Sequence, residues 1–220
     1  MSKSGKFVTN VTSLLPPASE PWAGSWDDAK RLIAILDSEI AHLSSIFSTY
    51  ARLYRGDSDT PNLLAASDSA FFQDLYIVYL HYISVSVSRL LDPAATGKKT
   101  NLTIAAVIAI LRSNDNPISN ELEQRLKDIR KKAYNFVEPR NQLVSHLDLA
   151  ANNIEPGMRA IPSFTKTEFE SFYRETGKLM NDIREAIGMV PNMYEWGIVG
   201  HGSGRKLLHR LFTAQQHLTG

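Results

Sequence analysis

From Ala66 to Leu91 apolar side chains fall on every side of a helical projection, among them Phe71, Phe72, Leu75, Tyr76, Val78, Tyr79, Tyr82, Val85, Val87 and Leu90. A strand of that length would exceed the usual ~3–10 residues. A helix without a polar face has to be covered by neighbours, which predicts that this segment is the central helix of the fold. Asp92-Pro93 ends it, because proline pushes the preceding residue out of the α region. His81, Ser84, Ser86, Ser88 and Arg89 interrupt the run, so it falls short of the ~18 uninterrupted apolar residues of a membrane span.

The flanking sequence supplies helices to do the covering. Ser25 with Asp28 reads as a helix start, after which Leu32, Ile33, Leu36, Ile40, Leu43, Ile46, Phe47 and Tyr50 recur at spacings of three and four. The polar stretch Gly56 to Pro61 closes that helix. Thr100-Asn101 is expected to cap a short apolar helix, Leu102 to Leu111, and another runs from about Asn120 to Phe136 before Val137-Glu138-Pro139 interrupts it. A short helix from Arg140 to Ala150 restarts behind the proline. Thr165 and Glu168 form a capping box for a last long helix, and Arg205 to about Gln215 makes a short terminal one. Strand-like alternation is missing. The expectation is an all-α, compact bundle of about five to seven helices with no sheet. Residues 1–25 read as an N-terminal arm, 26–187 as the helical domain, and 188–220 as a Gly-rich connector with a short helix on the same domain.

Composition narrows the chemistry. The 220 residues include no cysteine, which excludes disulfide scaffolds, thiol nucleophiles and thiolate metal sites, and fits a reducing compartment. The formal net charge is only +1, so any nucleic-acid contact has to be a local patch. No secretory signal is visible at Met1-Ser2-Lys3, and a cytoplasmic protein is expected, away from membranes.

None of the six histidines makes the i, i+4 pair of a helical zinc site, and neither a metal nor another cofactor is expected. His81, between Leu80 and Tyr82, reads as structural. Gly200-His201-Gly202-Ser203-Gly204-Arg205 lacks the strand and the Lys-Ser/Thr of a phosphate loop, so the Gly-rich tail 197–205 reads as a connector. What remains is Arg140-Asn141-Gln142-Leu143-Val144-Ser145-His146. An Arg followed five to seven residues later by a His arises about once by chance in a chain of this composition. Arg210 and His217 meet that bare spacing, but only Arg140 is followed by an Asn, at the start of a helix behind a proline.

With Ser88-Arg89-Leu90-Leu91-Asp92-Pro93 and Lys99-Thr100-Asn101-Leu102-Thr103-Ile104, this Arg-Asn-x4-His element resembles the HEPN superfamily of α-helical proteins, most closely its abortive-infection U-type branch. The resemblance runs from about residue 26 to 187. It implies a HEPN-like bundle and a metal-independent endoribonuclease of a phage-defence or toxin–antitoxin type system, active as a homodimer. Arg140 would bind the phosphate, His146 would transfer protons and Asn141 would position. Where another branch carries a Tyr two residues after the His, this chain has Asp148.

Those side chains suit the task. An imidazole titrates near 6.5, and a guanidinium fork matches a phosphate. Six residues of helix place His146 roughly 120° around from Arg140 and about 9 Å along, so one copy does not converge on one phosphate. A two-fold interface apposing two copies does. Arg125, Lys127, Arg130, Lys131 and Lys132 lead into the element; a solvated face is their ordinary reading, and Arg130, Lys131 and Lys132 are the candidates for RNA contact. Arg89 and Asp92 read as a helix-end ion pair. Tyr134, Phe136 and Tyr194 could stack on bases or pack in the core. The expected partners are RNA, a second copy, and an antitoxin or other defence-system protein. The rival reading is a non-catalytic helical module that binds a nucleotide or a protein.

Overall fold

The computed structural model describes residues 24–56, 59–139, 164–194 and 204–219. Seven helices run through these residues: α1 (Trp26–Tyr54), α2 (Asp59–Leu91), α3 (Ile104–Ser113), α4 (Ser119–Lys132), α5 (Tyr134–Pro139), α6 (Lys166–Ala186) and α7 (Gly204–Thr219). The molecule is essentially all-α, with one departure. Ala95–Thr96 and Lys99–Thr100 (β1 and β2) pair as a two-stranded antiparallel ribbon, so the expectation of no sheet is corrected. The connector has backbone groups to satisfy, and a tight hairpin does so. Gly97 takes φ +60° at its turn, and the Asn101 amide donates to Pro93 O and Thr96 Oγ1, both at 2.9 Å.

The ends of α1 and α6 are set locally. Ser25 Oγ accepts from the Asp28 N–H while the Asp28 carboxylate accepts from the Ser25 N–H, and Thr165 and Glu168 repeat this reciprocal box. Behind Ser25 the stripe Leu32, Ile33, Leu36, Ile40, Leu43, Phe47 and Tyr50 is buried at 4 % exposure or less. Among the described residues α1 is the helix long and apolar enough, by length and composition, to cross a bilayer. Its apolar stripe is spent on the bundle, and its other side exposes Asp27, Lys30, Arg31 and Ser38.

The central helix is α3 rather than α2. Ile104, Ala106, Val107, Ile108, Ile110 and Leu111 are all buried, with Thr103 rather than Thr100-Asn101 as the cap; its Oγ1 accepts from the Ala106 N–H. In α2 the fully buried members of the main core lie in the last turns, Ile83 to Leu91, with Tyr76, Tyr79 and Leu80 packed partly buried against it. Further up, Phe71 is 56 % and Val78 60 % exposed. The run also begins earlier than its apolar pattern, at Asp59, and bends at Asp68 (φ −168°, ψ 93°), whose carboxylate accepts from the Phe71 N–H at 3.0 Å. Asp68 thus caps the apolar part of α2 in mid-helix. Likewise the α4–α5 break falls at Ala133 rather than at Pro139, and α4 starts at Ser119 without a side-chain cap.

Tyrosines fill the α1–α2 seam. Tyr50, Tyr54, Tyr76 and Tyr79 stand with ring centroids 5.2–6.3 Å apart, in tilted and edge-on pairs. Tyr54 donates to Phe72 O at 2.9 Å. Beyond α6 the chain is pinned to the bundle. Asp37 on α1 accepts from the Tyr194 hydroxyl and from Arg184, whose Nε donates to Val190 O at 2.7 Å. Tyr194 lies directly on Gly177 of α6, where an added Cβ would stand 2.8 Å from Tyr194 Cβ. In α7, Leu208 and Leu211 pack on a second small core of Leu53, Leu64 and Phe72.

Two measurements check this packing. Phe136 is 1 % exposed, and Phe136→Ala is expected to cost about 3–5 kcal/mol in chemical denaturation. Burial, with Tyr79 and Tyr50 close by, pushes the Tyr54 hydroxyl up from 10.0 to about 12. The folded state therefore favours the protonated phenol, and this contribution is complete below pH 10 and disappears as pH rises through about 12. Unfolding free energy is expected to fall more steeply across that interval in the parent chain than in Tyr54→Phe.

Candidate functional site

Arg140, Asn141 and His146 lie outside the described residues. What the structure places is the mount from which that segment departs and to which it returns. α5 ends at Pro139, and the described chain resumes at Phe164. Phe136 of α5 sits 4.6 Å from Phe164, ring to ring, and also meets Phe169 and Phe172 of α6. Phe169 in turn stacks on Phe47 of α1 at 3.6 Å and 8°. A hydrogen bond reinforces the joint: Asn135 Nδ2 donates to Glu168 Oε1 at 2.9 Å. The Glu168 carboxyl, held low chiefly by the Thr165 N–H, stays ionised to accept it. Departure and return are thus bolted together.

Beside the mount, Ser88, Leu91, Asp92, Arg130, Tyr134 and Val137 border a cleft of about 360 Å³. Tyr134 is 49 % exposed there, whereas Phe136 and Tyr194 are buried in the core. Across the cleft Arg130 is committed to the backbone. Its Nε donates to Leu91 O at 2.6 Å and its terminal nitrogen to Asp92 O at 3.0 Å. These carbonyls end α2 and have no partner within the helix, so the guanidinium acts as a C-terminal cap that also complements the helix dipole. Burial draws the guanidinium below its ordinary value, yet an arginine stays charged.

The structure does not gather Arg130, Lys131 and Lys132 into one patch, because successive helical positions diverge by about 100°. Lys131 is exposed beside Asp128 at 3.4 Å, and Lys132 turns to Glu175 of α6 at 2.8 Å. The other α4 cations are also paired, Arg125 with Asp182 and Lys127 with Glu123. Nor do Arg89 and Asp92 form the expected ion pair. Arg89 reaches Glu39 of α1 at 3.8 Å, across the helix interface, while Asp92 O accepts from Arg130. His81 is half-buried in α2, and His42 meets the Tyr82 ring edge-on at 5.6 Å.

A second cavity escaped the sequence reading. It also measures about 360 Å³, and Arg52 of α1, the C-cap residue Arg55, Lys166 and Glu170 of α6, and Leu208 of α7 line it. Arg55 Nε donates to Tyr50 Oη at 3.2 Å. Residues over 150 positions apart in the chain make this wall, so no local motif marks it.

The Arg130 cap is the contact to test by stability. Arg130→Met keeps much of the stem and removes both donors, and is expected to lower stability by about 1–3 kcal/mol. For a chain of this size that corresponds to a melting temperature lower by roughly 2–12 °C, read by circular dichroism.

A model of the AbiU2 family of HEPN proteins matches residues 27–195, a stretch that contains the Arg140–His146 element, all of α1 but its first residue, and α2 to α6. No curated protein and no solved structure matches. The match takes in well over half of the chain, and with the all-α bundle it settles the kinship: the chain belongs to the AbiU2 family of HEPN proteins.

Proposed function

We propose that this protein is a metal-independent endoribonuclease of a phage-defence or toxin–antitoxin type system, working in the cytoplasm as a homodimer. The observation that carries the reading is the Arg-Asn-x4-His element, which lies inside the family match and leaves directly from the α5 mount. The reaction is attack by a ribose 2′-oxygen on the adjacent phosphorus. The P–O5′ bond breaks, leaving a 2′,3′-cyclic phosphate and a 5′-hydroxyl. A His146 imidazole takes the 2′-hydroxyl proton, and a protonated imidazole gives one to the departing O5′. Arg140 balances the charge that grows on the non-bridging oxygens, and Asn141 holds phosphate or imidazole in place. Two apposed copies supply both histidines, which answers the angular offset within one helix. An antitoxin or other system partner would restrain such an enzyme in its host.

The test is incubation of the purified chain with labelled RNA in EDTA, beside His146→Ala. Cleavage by the parent and a loss of about 10²–10⁴-fold in the variant are expected, with cyclic-phosphate ends on the products. Equal rates, or no cleavage by either, overturn the reading in favour of a non-catalytic module for a nucleotide or protein partner. A chain that light scattering shows to be monomeric and that still cuts RNA overturns the shared site.

A further inference from the structure

The α4 cations that a linear reading assigns to RNA each face a carboxylate or a backbone carbonyl. A cation already neutralised releases few counterions on meeting a phosphate and contributes little to nucleic-acid affinity. Helix α7 is different. Its sixteen residues, GRKLLHRLFTAQQHLT, contain no Asp or Glu. Arg205, Lys206 and Arg210 are exposed, and no carboxylate among the described residues forms an ion pair with them.

With Leu208 and Leu211 turned to the bundle, Arg205, His209 and Phe212 fall in one row at i, i+4 and i+7. Lys206 and Arg210 form the next row outward. Phe212 is 54 % exposed, an aromatic face among cations. Leu208 carries the surface on into the second cavity, which Arg52, Arg55 and the Lys166–Glu170 pair also line. Arg55 lies at the end of α1, where a cation complements the helix dipole. Lys166, which opens α6, faces the same cavity and is paired there with Glu170 at 3.8 Å. Phe47 lines that cavity and its ring stands 6.4 Å from Phe164, the residue at which the chain returns from the Arg140–His146 segment.

We propose that α7, where it borders the adjoining cavity, is the surface that holds the RNA strand, with phosphates on Lys206 and Arg210 and a base stacked on Phe212. The assignment rests on the ribonuclease reading for its ligand. A strand-holding groove combines a cationic track with aromatic faces because every base offers a π surface, so sequence preference is weak. The near-neutral net charge fits, since cations without acidic neighbours in sequence are gathered on one helix.

The test is fluorescence anisotropy of a labelled single-stranded 12-mer RNA in EDTA. It uses the full-length chain with His146→Ala, so that nothing is cut. Lys206→Gln with Arg210→Gln is expected to raise Kd about tenfold and to flatten the dependence of log Kd on log salt by about 1.4. Phe212→Ala is expected to raise Kd about tenfold with the slope unchanged. Lys30→Gln, at an exposed position on α1, serves as the control and is expected to change neither. These positions are exposed, and melting curves check that each variant folds. Unchanged Kd and slope in the α7 double variant overturn the proposal, as do an equal effect of Lys30→Gln and an absence of RNA binding by the parent. Loss of the dimer in Phe212→Ala with RNA affinity intact makes α7 a contact between copies and overturns it too. Cleavage that persists with unaltered KM in the α7 variants sinks this surface alone. Binding that depends on α7 in a chain that cuts nothing sinks the ribonuclease reading alone.

Discussion

Four phenylalanines meet where α1, α5 and α6 converge, and the remaining architecture is arranged around that contact. Phe47 and Phe169 lie face to face, while Phe136 and Phe164 close the junction at 4.6 Å. Offset and tilted aromatic pairs contribute about 0.5–1.5 kcal/mol beyond the area they bury, and here several share rings. Geometry matters more than the sum. α5 is only six residues long and could not hold its shape alone, since short helices are marginal in water. Phe136, aided by Asn135 on Glu168, lets it borrow the rigidity of α6. The points at which the described chain stops, Pro139, and resumes, Phe164, are therefore held at one joint.

Much of this was legible from side chains that act on near neighbours. Ser25 with Asp28 and Thr165 with Glu168 are boxes closed over three residues, and the α1 stripe needs only a period of 3.6. What the string of letters misplaced was decided at longer range or by backbone needs. The apolar run of α2 pointed to the middle of the fold, but a shorter helix, α3, is covered on more sides and occupies it. Neither α1 nor α5 reaches all the way round α2, so Phe71 and Val78 remain exposed. The ribbon at Ala95–Thr100 follows from hydrogen-bond demand in a connector, a demand that hydrophobic patterning does not register.

The chemistry divides in the same way. An Arg-Asn-x4-His spacing behind a proline can be recognised in one dimension, and family membership bears out the kinship it suggested. Charge cannot be read so simply. Lys132 finds Glu175 forty-three residues away, and Arg130 finds two carbonyls at the end of α2. The cations of that basic stretch thus stand beside carboxylates or carbonyls rather than in one patch. The segment 188–220 reads as a Gly-rich connector with a short helix, and that helix carries cations with which no carboxylate among the described residues forms an ion pair.

Gly177 governs that tail from a distance. Tyr194 rests where any larger residue on α6 would project, with 2.8 Å between the two Cβ positions if one were added. The clearance of a single hydrogen atom is what allows the 188–194 strap to lie flush and its phenol to reach Asp37. Selection on position 177 therefore acts on a piece of chain seventeen residues downstream, and divergence there would alter the route by which the last helix is delivered.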